Sequence, residues 1–212
     1  MTASNPNIVN GLQPVRRVDG AKWGDSLTVY YVPAANQNAL FVGDPVVKVA
    51  GSANGNGVNG IDLATAGANA VVTGVVCGFV GIQTAGSTQT PSLFGLSATP
   101  GNVYRPASTG FDFYALVNDD PEGMFTVQVT GTSTMSVASI GKNFQLVSGS
   151  GNTYTGWSGW TVAATPVASP SDLGQVNVLG FVQATNNDPT QPYAKVNVRL
   201  NTSSETNRSA GI

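Results

Sequence analysis

Histidine is absent from all 212 positions, and cysteine occurs once. The first absence removes the usual general base near neutral pH, the Ser-His-Asp and Cys-His nucleophile systems and the commonest transition-metal ligand. The second excludes an internal disulfide. Cys77 sits in the apolar run 71–82 and reads as a small hydrophobe, so stability has to come from packing and assembly. Charge is scarce too, at 9% of residues where roughly 25% is usual. The nine basic residues are scattered and the formal net charge is -2, which leaves no positive field to gather phosphates and argues against a nucleic-acid partner. Residues 1–11 hold neither a basic nor an apolar leader segment. The longest apolar stretch is broken by Gly74, Gly78 and Gly81, so the expectation is a cytoplasmically made chain with no signal peptide and no membrane span.

What is abundant is turn and strand chemistry: 26 glycines and 12 prolines, with Ser, Thr, Asn and Val between them. A surface that carries its polarity on hydroxyls and amides loses little ionic hydration when another protein covers it, so this composition suits broad protein interfaces.

Along the chain, residues 1–19 mix Asn, Pro and Gly with isolated apolar residues and show neither period 2 nor period 3.6. They read as an extended N-terminal arm that gains order against a partner. Strands are predicted at 27–32 (LTVYYV), within 40–50 (LFVGDPVVKVA), at 61–64 and at 71–82, the last apolar enough for burial on both faces. Further short runs follow at 111–117, 124–129, 143–147, 160–163, 176–182 and 194–200. The Asn-Gly-rich stretch 51–60 reads as a hairpin tip or surface loop, and 133–141 as at most one helical turn. The Thr-, Ser-, Gly- and Pro-rich stretch 83–102 is either a projecting loop or the seam between two subdomains. The expected fold is therefore all-β: a β-barrel or sandwich-like core of short antiparallel strands over 20–200, with an extended N-terminal arm, long Gly/Ser/Thr-rich loops and a polar tail at 201–212.

Few groups remain that could carry chemistry. Asp119, Asp120 and Glu122 in 117–123 (VNDDPEG) could serve as paired carboxylates or hold Ca²⁺, but adjacent strand residues face opposite ways and the Asn-Asp-Asp-Pro-Glu-Gly composition favours a solvated hairpin turn. No catalytic residue, cofactor or metal is therefore expected. Trp157 and Trp160 (GWSGW) could stack on a sugar, or divide between core and subunit contact. The alternating run 194–200 (AKVNVRL) places Val196, Val198 and Leu200 on one face and Lys195, Asn197 and Arg199 on the other, wet or bonded to a neighbour. The candidate partner contacts are Ile8, Val9, Leu12, Arg16, Arg17, Trp157, Trp160, Lys195 and Arg199, together with the open edge of a strand such as 194–200.

Blocks along most of the chain resemble those of head decoration, or cement, proteins of tailed bacteriophages. They are 11–17 (GLQPVRR), 30–33 (YYVP), 40–46 (LFVGDPV), 66–78 (ending VVTGVVCG), 104–107 (YRPA), 117–121 (VNDDP), 139–147 (SIGKNFQLV), 179–184 (LGFVQA) and 193–200 (YAKVNVRL). The resemblance implies a non-enzymatic β protein on the outer surface of the virion capsid, often a trimer, that clamps neighbouring subunits of the major capsid protein and stabilises the head. It transfers no catalytic residue. A carbohydrate- or receptor-binding β module is the alternative, and a glycosidase a third.

Overall fold

The computed structural model describes residues 5–23, 27–83, 103–108, 112–168 and 173–205. Its twelve strands are β1 (Gln13–Arg17), β2 (Leu27–Val32), β3 (Pro45–Lys48), β4 (Ile61–Leu63), β5 (Gly74–Gln83), β6 (Asp112–Asn118), β7 (Gly123–Gln128), β8 (Asn143–Phe144), β9 (Leu146–Val147), β10 (Thr161–Val162), β11 (Val176–Phe181) and β12 (Lys195–Leu200). A single 3-10 turn at Val137–Ser139 is the whole helical content of the described residues, within the stretch that the sequence allowed one turn. No described helix is long and apolar enough to cross a membrane.

The strands build two five-stranded antiparallel sheets and one small hairpin. Sheet A runs β1-β7-β12-β11-β8, sheet B runs β2-β6-β5-β3-β4, and β9 pairs with β10. Neither sheet closes on itself, so the sandwich-like form of the expected fold is the one adopted, not a barrel. Sheet B uses the consecutive strands β2 to β6, and sheet A uses β7, β8, β11 and β12 plus β1. The chain therefore changes sheet twice, between β1 and β2 and again at 118–123, whereas the anticipated seam at 83–102 lies outside the described residues except for Gln83.

Burial follows the period-2 pattern. Phe125, Val127, Val176, Val178, Val196, Val198 and Leu200 point inward from sheet A and pack with Leu146, Trp160 and Val162 of the hairpin region. Tyr30, Val32, Val46, Val76, Phe113, Ala115 and Val117 form a second core on sheet B, under Leu40 and Ile61. Leu63 packs against both cores, and the neighbours Val75 and Val76 divide between them, so the start of β5 is buried on both faces as its composition predicts. Each fully buried large apolar side chain contributes about 1.5–3 kcal/mol.

Three expectations need correction. The N-terminal segment is part of the folded body: β1 pairs with β7, Leu12 is fully buried in the first core, and Asn5 Nδ2 donates to the carbonyls of Asp188 and Pro192. Its sequence shows no period because a β-bulge between Pro14 and Arg16 breaks the alternation. The stretch 194–200 has no open edge, since β12 lies between β7 and β11. The acidic turn 117–123 is no hairpin either, because β6 and β7 belong to different sheets. Of the C-terminal tail, 201–205 is tied down by a bridge from Ser203 to Val72 and an ion pair between Glu205 and Lys48.

Candidate functional site

The outer face of sheet A gathers more of the candidate contacts than any other described surface. Residues directly opposite in an antiparallel ladder share a face, so the register defines the rows. One row crosses all five strands: Arg16 on β1, Met124 on β7, Arg199 on β12, Asn177 on β11 and Asn143 on β8. The next holds Gln13, Thr126, Asn197 and Gly180, and the third pairs Gln128 with Lys195. Strand spacing sets Arg16 and Arg199 roughly 10 Å apart, and Lys195 about 13 Å along β12 from Arg199.

The amides of this face are held by one another. Thr126 Oγ1 donates to Asn197 Oδ1 at 2.9 Å, Asn177 Nδ2 to Asn143 Oδ1 at 2.9 Å, and Gln128 Nε2 to Asn7 Oδ1 at 2.8 Å. The backbone N–H of Ile8 donates to Gln128 Oε1 at 3.0 Å, which lays the N-terminal segment over the third row and leaves Ile8 51% exposed at its margin. Val9 is half-buried beside it. Val15, in the bulge of β1, is 44% exposed. Neither Arg16, Lys195 nor Arg199 forms an ion pair among the described residues. Arg199 Nε is shut off from solvent and has no hydrogen-bond acceptor there.

The free edge of β1 is a poor template for strand addition: Pro14 carries no N–H, and the bulge interrupts the ladder. The site therefore offers side chains and not a strand edge, and the groups on it without a described ion pair, Arg16, Arg199 and Lys195, are hydrogen-bond donors suited to acceptors.

The remaining candidates lie elsewhere. Leu12 and Trp160 are core residues, Trp160 with only 2% of its surface exposed. Arg17 is committed to the acidic turn, with Nε 3.2 Å from Asp120 Oδ2 and 3.4 Å from Asp19 Oδ2. Trp157 bridges to Val42 and is 37% exposed, near Tyr154 on the loop 152–157. Tyr154 is 91% exposed, and Asn152 Oδ1 braces the loop by accepting from the N–H groups of Tyr154 and Thr155. Tyr154 carries no signal in the sequence, because exposure of one aromatic ring has no period. The two tryptophans do not form a joint platform, since one of them is inside.

Comparison with protein-family models, with curated proteins and with solved structures returns no match.

Two clefts lie away from this face. The first, about 480 Å³, is lined by Phe41, Asp44, Leu63, Trp160 and residues 148–151. Its carboxylate, on Asp44, accepts from the Phe41 N–H at 2.8 Å and from the Ser158 hydroxyl, and burial pushes its pKa up to about 6. The second, about 390 Å³, lies between Arg17, Thr28, Asp119, Asp120 and Glu205. Asp119 is engaged there by Thr28 Oγ1 at 3.0 Å and the Tyr30 hydroxyl at 2.8 Å. Among the described residues no group of three His, Cys, Asp or Glu side chains is arranged to hold a metal ion. Cys77 is half-buried, and burial pushes its thiol up to about 11.

Proposed function

We propose that this chain is a structural virion protein that binds the outer surface of a phage capsid, acts as a multimer with a trimer favoured, and cements neighbouring major capsid protein subunits without catalysing a reaction. The observation that carries this reading is the outer face of sheet A, a polar surface across five strands on which Arg16, Arg199 and Lys195 stand among hydrogen-bonded amides, with apolar side chains at its margin. A face whose amides are already held by one another suits a protein partner, because those side chains lose little entropy on docking. The family resemblance of the sequence supplies the identity of the partner, and the low overall charge keeps desolvation inexpensive. A subunit that recognises only the assembled shell stabilises it by mass action, and bridging two shell subunits adds the high effective concentration of the second contact.

The test compares melting of capsids with and without the protein, and its affinity for assembled shells against that for free capsid subunits. Higher melting at full occupancy and preference for the assembled form are expected; equal melting, or equal affinity for free subunits, would defeat the reading. A second reading, a glycan- or receptor-binding module, is favoured by Tyr154 and Trp157 on their braced loop. Its test is a glycan array in which binding disappears with Tyr154→Ala or Trp157→Ala.

A further inference from the structure

We propose that the outer face of sheet A docks onto an acidic patch of the partner protein, with partner carboxylates seated on Arg199, Arg16 and Lys195. The inference rests on the shell-binding reading and adds the surface and its chemistry. It starts from Arg199. This residue lies on the central strand of the sheet, opposite Met124 on one side and Asn177 on the other, and its Nε is buried with no hydrogen-bond acceptor within the described residues. A charged donor left in that condition is costly, and a carboxylate approaching the face would relieve the cost with a charge-assisted hydrogen bond.

Charge placement points the same way. The chain as a whole carries a net charge of -2, yet the three registered rows hold Arg16, Arg199 and Lys195 and no carboxylate. The other arginine and lysine with described ion pairs are already committed, Arg17 to Asp19 and Asp120, and Lys48 to Glu205. Asp188, the acidic residue closest in sequence to Lys195, turns its carboxylate onto the N–H and hydroxyl of Thr190. Asp119 and Asp120 lie at the corner between the sheets, Asp62 and Asp112 on strands of sheet B, and Glu122, two residues before Met124, is the one carboxylate that borders the first row in sequence among the described residues. The face is thus a local reversal of sign, complementary to an acidic protein surface. A nucleic acid would meet only three cations here and the repulsion of an acidic body behind them. The amide ladders hold the rows in place, while Pro14 and the bulge of β1 leave side chains to make the contact.

The experiment uses the full chain and capsid shells that lack it, with binding measured by cosedimentation at about 50 mM and about 500 mM NaCl. The variants are Arg199→Gln, Arg16→Gln and Lys195→Gln, and Lys48→Gln is the control. Binding of the wild type is expected to weaken by roughly tenfold in high salt, and by roughly tenfold in Arg199→Gln, the scale of one charge-assisted hydrogen bond. Arg16→Gln and Lys195→Gln are expected to weaken it severalfold, and Lys48→Gln to leave it unchanged. Thermal melting of each variant checks folding; should Arg199→Gln fail to fold, the exposed Arg16 and half-buried Lys195 carry the test. Salt-insensitive binding with all three variants equal to wild type overturns the inference while the shell-binding reading stands. No binding of the wild type to shells overturns both. Loss in the variants of self-association, or of binding to a short DNA duplex, in place of loss of shell binding also overturns it, by assigning the face to a second copy or to nucleic acid.

Discussion

The guanidinium of Arg105 donates through Nη2 to the carbonyl of Pro33 at 2.7 Å. The same fully buried side chain also reaches the carbonyls of Ala34, Asn36 and Asn38, lies over the Phe113 ring, and exchanges two backbone hydrogen bonds with Leu40. Burial lowers its pKa, and Asp62 opposes that shift. One arginine therefore fixes the whole connection between β2 and β3 from inside.

Arg105→Lys is expected to cost about 3 kcal/mol or more, because an ammonium cannot span the carbonyls that the planar fork reaches, and those left over stay buried and unpaired. Urea unfolding of the two proteins measures the difference; a loss below about 1 kcal/mol would mean that the fork is dispensable.

Tyr30→Phe is expected to lose about 1.5–3 kcal/mol, since the buried phenol donates to a carboxylate, Asp119, that ties β2 to the corner between the sheets. Burial, with Asp119 adding to it, raises the Tyr30 pKa far above the ordinary value near 10. The folded state then holds a proton that the unfolded chain releases, so this stability is complete below about pH 10 and is lost as pH rises further. Wild type should lose stability above pH 10 faster than Tyr30→Phe, and parallel alkaline profiles would contradict the assignment.

Asp44 acts in the acid range with the same sign. Its carboxyl titrates at about 6 in the fold and near 3.8 when unfolded, so the folded state binds the extra proton between those values and stability falls as pH rises through the window. The shift corresponds to about 3 kcal/mol. Relative to wild type, Asp44→Asn should therefore be more stable at pH 7 than at pH 4 by about 2–3 kcal/mol, measured by urea melts at both pH values. A constant difference would show that the carboxyl is not shifted.

Removal of residues 1–19 is expected to abolish cooperative folding, because it deletes β1, the core residue Leu12 and the hydrogen bonds of Asn5. A truncated protein with an unchanged near-ultraviolet circular dichroism spectrum would show that sheet A stands without its first strand.

Much of the strand inventory was legible in the sequence, because strands such as LTVYYV and KVNVRL carry their period locally, and KVNVRL also reveals which residues face outward. Pairing was not legible. Nothing in KVNVRL says that it occupies the middle of a sheet, and nothing in QPVRR says that its partner lies in the second half of the chain. Arg105 escaped notice for a related reason: its acceptors are main-chain carbonyls about seventy residues earlier, which no side-chain motif records. The candidate face emerged only once pairing placed Arg16 in the same row as Arg199.

The pairing of β1 with β7 also sets an order of events during synthesis. Of the described strands β1 is made first, yet it belongs to the sheet that is completed last, and its neighbour follows roughly a hundred residues later, about 5–20 s at ordinary translation rates. During that interval the strands of sheet B emerge and can pair with one another, while Leu12 and the edge of β1 have no sheet to join. Closing so long a loop is the slow step that topology imposes on this chain, and β1 is the segment that a chaperone would find exposed.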